Sequence, residues 1–118
     1  MALNLYLPKS EIHRPCSRRV QQVVAAVCFQ MEVPSNGILA HNRSQHLVTP
    51  RFMSWRIIQD TSGWNASQIG RYFGGYARVS VLYGINEFNK RKAKDPALEA
   101  AYYAVLADLE RQEMRANG

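Results

Sequence analysis

Cysteine is nearly absent from this chain: Cys16 and Cys28 are the two in 118 residues, too few for a disulfide framework and not spaced as metal ligands. Cys28 falls in line with a helical apolar stripe and reads as a small buried hydrophobe. No apolar run approaches the roughly 20 residues that a membrane span needs. Met1 to Leu7 offers no basic n-region, no adequate apolar h-region and no small-residue cleavage site, so a secretory leader is not expected and a cytoplasmic protein is. A G-x-x-x-x-G-K-[ST] loop is also missing, and with it a nucleotide site of that type. The three histidines and nine acids are scattered without a nucleophile–base constellation or a His pair at helical ligand spacing. No enzyme, no cofactor and no metal is expected.

What is present is positive charge, unevenly placed. The net charge is +6, but residues 1–94 hold thirteen Lys and Arg against four acids, whereas residues 95–118 hold two Arg against five acids. A block of like charge on one folded body favours a polyanion, and DNA is the commonest. No segment joins a basic face to a strongly apolar one free of other duties, so a membrane surface is the weaker partner. At this length a single core forms without staples. We expect a tail over 1–16, docking loosely through Leu5, Tyr6, Leu7 and Ile12, and one helical domain over 17–118.

The helices announce themselves by period and punctuation. Ser17 is a plausible N-cap, after which Val20, Val23, Val24, Val27, Cys28 and Met31 recur at spacings of three and four, ending before Pro34. Ile38 and Leu39 suggest one short turn packed on that helix. His41 to His46 reads as a loop carrying Arg43, and Thr49-Pro50 reads as the next start, a hydroxyl cap followed by proline at the first helical position. That helix turns Met53, Ile57 and Trp55 or Ile58 inward and offers Arg51 and Arg56 to phosphate, and Ser62-Gly63 closes it. Asn65 with Gln68 makes a capping box for a helix over about 66–73, Trp64 stapling Ile69, with Arg71 and Ser67 facing out.

Gly74-Gly75 then marks a sharp corner, since only glycine takes positive φ at no steric cost. The helix beyond it, about 77–92, has Val81, Leu82, Ile85 and Phe88 as its core side, and Gly84 inside it points to close approach of another helix. Arg78, Val79, Tyr83, Asn86 and Lys90 face out, with Ser80 near the start. Arg bonds guanine bidentately, Asn bonds adenine, and Val or a Tyr ring touches a thymine methyl, a usable set for a major groove. The run Lys90-Arg91-Lys92-Ala93-Lys94 is a solvated helix end that favours the dipole. Asp95-Pro96 starts a last helix with the stripe Leu98, Tyr102, Val105, Leu106 and Leu109.

The pattern Ile69-Gly70-x-x-Phe73-Gly74-Gly75, a few polar positions, then Ser80 with Val81-Leu82, resembles the C-terminal DNA-binding domain of the bacterial replication initiator DnaA. The resemblance covers about Arg18 to Leu109. It implies an all-α fold, a compact bundle of about six helices with a helix-turn-helix of the TrpR/DnaA C-terminal kind, in a bacterial, nucleoid-associated protein that binds double-stranded DNA and regulates transcription or replication initiation. The resulting candidate contacts are Arg43, Thr49, Arg51, Arg71, Tyr76, Arg78, Val79, Ser80, Tyr83, Asn86 and Lys90. In that family a basic loop leads to a minor-groove arginine just before the proline; here Thr49 stands there and Arg43 is the loop's one Lys or Arg. The family follows its glycines with Arg, Asp, His, Thr, and this chain has Tyr76, Ala77, Arg78, Val79, Ser80 alone keeping a hydroxyl at a position the family uses for phosphate. A target other than the family's own box is therefore expected. A second reading stays open: a scaffold that has lost DNA reading and binds another replication or transcription protein through Tyr76, Tyr83 and the basic face.

Overall fold

The valine stripe builds the first element. In the structure, a computed structural model that describes residues 14–40 and 44–117, α1 spans Arg14–Met31, with Val20, Val23 and Val27 wholly buried. It begins before the expected cap, so Ser17 lies inside it. Pro15 is tolerated there because a first-turn N–H has no helical partner to lose. The tail contacts expected of Leu5, Tyr6, Leu7 and Ile12 lie outside the described residues. α1 closes without glycine: Glu32 takes the left-handed conformation (φ 58°) and the Val33 N–H donates back to the Cys28 carbonyl at 3.1 Å, a Schellman closure just ahead of Pro34. Burial also pushes the Cys28 thiol up from its ordinary pKa.

One turn, α2 (Ser35–Ile38), follows and buries Ile38. α3 then runs Gln45–Ser62, which corrects the expected start at Thr49-Pro50: both residues lie inside the helix, and Ser44 holds the N-cap position. Leu47 explains the extension. It is buried beneath Gly37, and that burial offsets the backbone hydrogen bond lost at Pro50. Met53, Trp55, Ile57 and Ile58 are all buried, as the period predicts, and Gly63 ends the helix at φ 74°.

α4 (Ala66–Tyr72) opens on the expected capping box. The Gln68 N–H donates to Asn65 Oδ1 at 2.9 Å and the Asn65 N–H to Gln68 Oε1 at 2.8 Å. Trp64 is buried beside it, its ring 5.5 Å from that of Tyr72. α5 (Arg78–Lys94) and α6 (Pro96–Asn117) complete the chain, the latter capped by the Asp95 carboxylate, which accepts from the N–H groups of Ala97 and Leu98. α3 lies at the centre against α1 and α5, and α6 closes over α1 and α5. Six helices and no strand make up the described residues, so the fold is all-α.

Candidate nucleic-acid interface

The corner between α4 and α5 is built on three glycines. Gly74 and Gly75 take φ of 95° and 99°, and the chain folds back so that the N–H groups of Gly75 and Tyr76 both donate to the Gly70 carbonyl at 2.9 Å. Gly70 is required for a different reason. A β-carbon there would run into the Tyr76 carbonyl oxygen, so the turn closes only over a bare backbone. Sequence reasoning took Gly70 as part of a signature without a mechanism; its partner lies across the turn, where no local rule reaches.

α5 leaves this corner with its inner face fixed by Val81, Gly84, Ile85 and Phe88, all buried. At about 100° per residue the opposite face carries Val79, Leu82, Tyr83, Asn86 and Lys90. Leu82 is therefore a correction: expected in the core, it is 37 % exposed, because 81 and 85 already take the inward positions. Val79 and Tyr83 are 68 % and 62 % exposed, and Arg78, Ser80, Asn86 and Lys90 are exposed too. Arg71 is exposed on the last turn of α4. Among the described residues Arg71, Arg78 and Lys90 form no ion pair.

Other expected contacts are otherwise engaged. Arg51 is 2 % exposed and points inward: its Nε donates to the Ile38 carbonyl (3.1 Å) and its Nη2 to those of Gly37 (3.1 Å) and Ala40 (3.3 Å), satisfying the end of α2. Desolvation lowers its pKa, and the cation is a structural clamp rather than a phosphate ligand. Thr49 accepts from Arg91 Nη1 at 2.7 Å, half-buried between α3 and α5. Tyr76 is half-buried, its ring 5.1 Å from that of Trp55 and 5.4 Å from the Arg51 guanidinium. Arg56 donates to Asp60 at 2.6 Å, the main cause of its raised pKa, and to Asn89. Arg43 lies outside the described residues.

The basic helix end is also less free than its sequence suggests. Arg91 pairs with Glu87 at 3.2 Å and lies over the Phe52 ring, and the Lys92 ammonium lies 5.1 Å from the Tyr102 ring centroid. Arg19 pairs with Glu113. Arg71, Arg78 and Lys90 thus stand without an ion pair about the α4–α5 corner and along the outer face of α5, as do Arg18 on α1, Lys94 at the end of α5 and Arg115 on α6 elsewhere among the described residues. Among the described residues no group of three His, Cys, Asp or Glu side chains is placed to hold a metal ion, and no helix is long and apolar enough to cross a membrane.

Two helices joined by this glycine corner, the second packed by one face and bare on the other, define a helix-turn-helix domain. The family described as the bacterial dnaA protein helix-turn-helix matches residues 20–87, and the chain belongs to that family. The match takes in the whole corner and the first turns of α5, and stops before α6.

Among curated proteins the chain is similar to the chromosomal replication initiator protein DnaA of Neisseria meningitidis strain FAM18. The two are 24 % identical over 84 residues, 71 % of this chain and 16 % of the relative. The protein of the same name from Rhodopseudomonas palustris strain BisB18 is 26 % identical over 80 residues, 68 % of this chain and 17 % of the relative. The chain therefore spans about a sixth of the length of these relatives. No solved structure matches it significantly.

Proposed function

We propose that this chain binds duplex DNA sequence-specifically, laying the N-terminal half of α5 in the major groove, and that it regulates transcription or replication initiation. The observation that carries this reading is the outer face of α5: a solvent-facing strip opposite the core that begins at the glycine corner, ends in Lys90 and has Arg71 and Arg78, like Lys90 without an ion pair, at its start. Family membership adds that the scaffold is of the DnaA helix-turn-helix kind. Arg78 is the base-reading cation and Asn86 the candidate adenine reader, while Arg71 and Lys90 border the strip on the phosphate side. Tyr76, Ala77 and Val79 differ in chemistry from what the resembled family carries after its glycines, which supports a target distinct from the DnaA box.

The exposed Val79 and Tyr83 also suit a protein partner, since aromatic side chains are enriched at protein interfaces. The distribution of charge favours DNA. In vitro selection from random duplexes by the full chain tests the proposal. The expected result is a defined site bound with affinity that falls steeply with salt, because phosphate contacts release counterions. Absence of duplex binding at low salt overturns it in favour of the protein-partner reading.

A further inference from the structure

Among the described residues six large apolar side chains stand exposed, and three of them, Val79, Leu82 and Tyr83, fall on the first two turns of α5. Val79 and Tyr83 lie opposite the buried side of the helix with Leu82 on one flank, and the strip continues through Asn86 to Lys90 with Glu87 on the other flank. Neighbouring apolar side chains on a solvent-facing helix offer a surface suited to contact. The strip begins beside Arg78, and the nearest acid on the helix, Glu87, is tied to Arg91. The surroundings thus suit a polyanion whose accessible edge is partly apolar.

In a major groove the apolar group is the 5-methyl of thymine; the other three bases present only donors and acceptors there. Resting on the DNA-binding reading, we infer that Val79 and Tyr83 are specificity-determining residues that read thymine methyl groups, so that the target contains thymines facing the first two turns of α5. Valine has no side-chain donor or acceptor, so at its position the methyl is the one major-groove feature it favours. Tyr83 is poised rather than loose: its ring stands edge-on to that of Phe52, centroids 6.3 Å apart, and Phe52 abuts the backbone at Gly84. A ring already held in place loses little rotamer freedom on binding. Burying one methyl against such a surface corresponds to about fourfold in affinity.

The test uses the full chain and the duplex it selects from a random pool. Each thymine is replaced singly by deoxyuridine, which removes the methyl and nothing else. The expected result is two positions at which the replacement weakens binding about fourfold. That sensitivity is lost at one of them with Val79→Ala and at the other with Tyr83→Ala, while Tyr83→Phe retains it. Thermal melts of the variants confirm that folding is unchanged. A selected duplex bound tightly with no methyl-sensitive position, or with methyl sensitivity untouched by both alanine variants, overturns this inference and leaves DNA binding standing. Failure of the chain to bind any duplex at low salt overturns both.

Discussion

Gly84 of α5 presses against Trp55 of α3: a β-carbon at 84 would sit 2.7 Å from Cε3 and Cζ3 of the indole and 2.7 Å from the Phe52 ring. The two helices cross at backbone-to-ring contact, and this contact sets how far α5 stands from the core. Trp55 is 1 % exposed and has no free direction in which to turn.

Gly84→Ala is accordingly expected to destabilise the fold although alanine is the better helix former. Propensity offers up to about 1 kcal/mol, and overpacking a filled core costs about 1–3 kcal/mol. Denaturant unfolding should show a net loss of up to about 2 kcal/mol; a gain would contradict the close crossing.

Gly70→Ala should be worse than Gly75→Ala. At Gly75 a β-carbon meets nothing within 4 Å, so the cost is the left-handed backbone alone, roughly 1–2 kcal/mol. At Gly70 the obstacle is the Tyr76 carbonyl, which is backbone and cannot rotate aside. Comparing the two unfolding midpoints checks the order, and equal losses would count against the turn described above.

Arg51→Ala should act on stability before it acts on DNA. It strips donors from the carbonyls of Gly37, Ile38 and Ala40, and hydrogen bonds to a charged group contribute about 1.5–3 kcal/mol. A loss of that size, with the melting temperature lowered, is the expected outcome. A variant as stable as the parent but weaker on all DNA would restore Arg51 to the phosphates.

Much of the fold is legible because its punctuation is local. The Asn65–Gln68 box, the left-handed Gly63, the Asp95 cap and the Gly74-Gly75 corner each depend on residues within a few positions of one another, so propensity and geometry agree. The misreadings share the opposite cause. Thr49-Pro50 is a good local start, but Leu47 gains burial against a segment ten residues earlier and draws the helix across the proline. Arg51 looks like a surface cation until the carbonyls of residues 37–40 fold over it. In the site, the face of α5 follows from period, whereas the clips from Arg91 to Thr49 and from Arg56 to Asn89 join distant parts of the chain.

Two tyrosines set an alkaline limit. Burial raises the Tyr72 and Tyr102 phenols above the ordinary value of about 10, at Tyr102 against the opposing pull of Arg56. The folded state holds these protons more tightly than the unfolded state. Their contribution to stability is therefore fully present below the unfolded value and is lost as pH rises through the folded values. Phenolate absorbance compared between the parent and the Tyr72→Phe and Tyr102→Phe variants should show each of these phenols ionising above the ordinary value, and melting temperature should fall over the same range. Ionisation of Tyr72 and Tyr102 at the ordinary value would contradict the packing of these rings.

The central claim is that the outer face of α5 reads base pairs, and Arg78 tests it most directly. Affinities of the parent chain and of Arg78→Ala are measured on the selected duplex, on its single-base-pair variants and on random duplex at matched salt. The account predicts that Arg78→Ala keeps its folding, loses about 1–3 kcal/mol on the selected site, and no longer distinguishes one or two base pairs there. Unchanged affinity and unchanged sequence preference would contradict it.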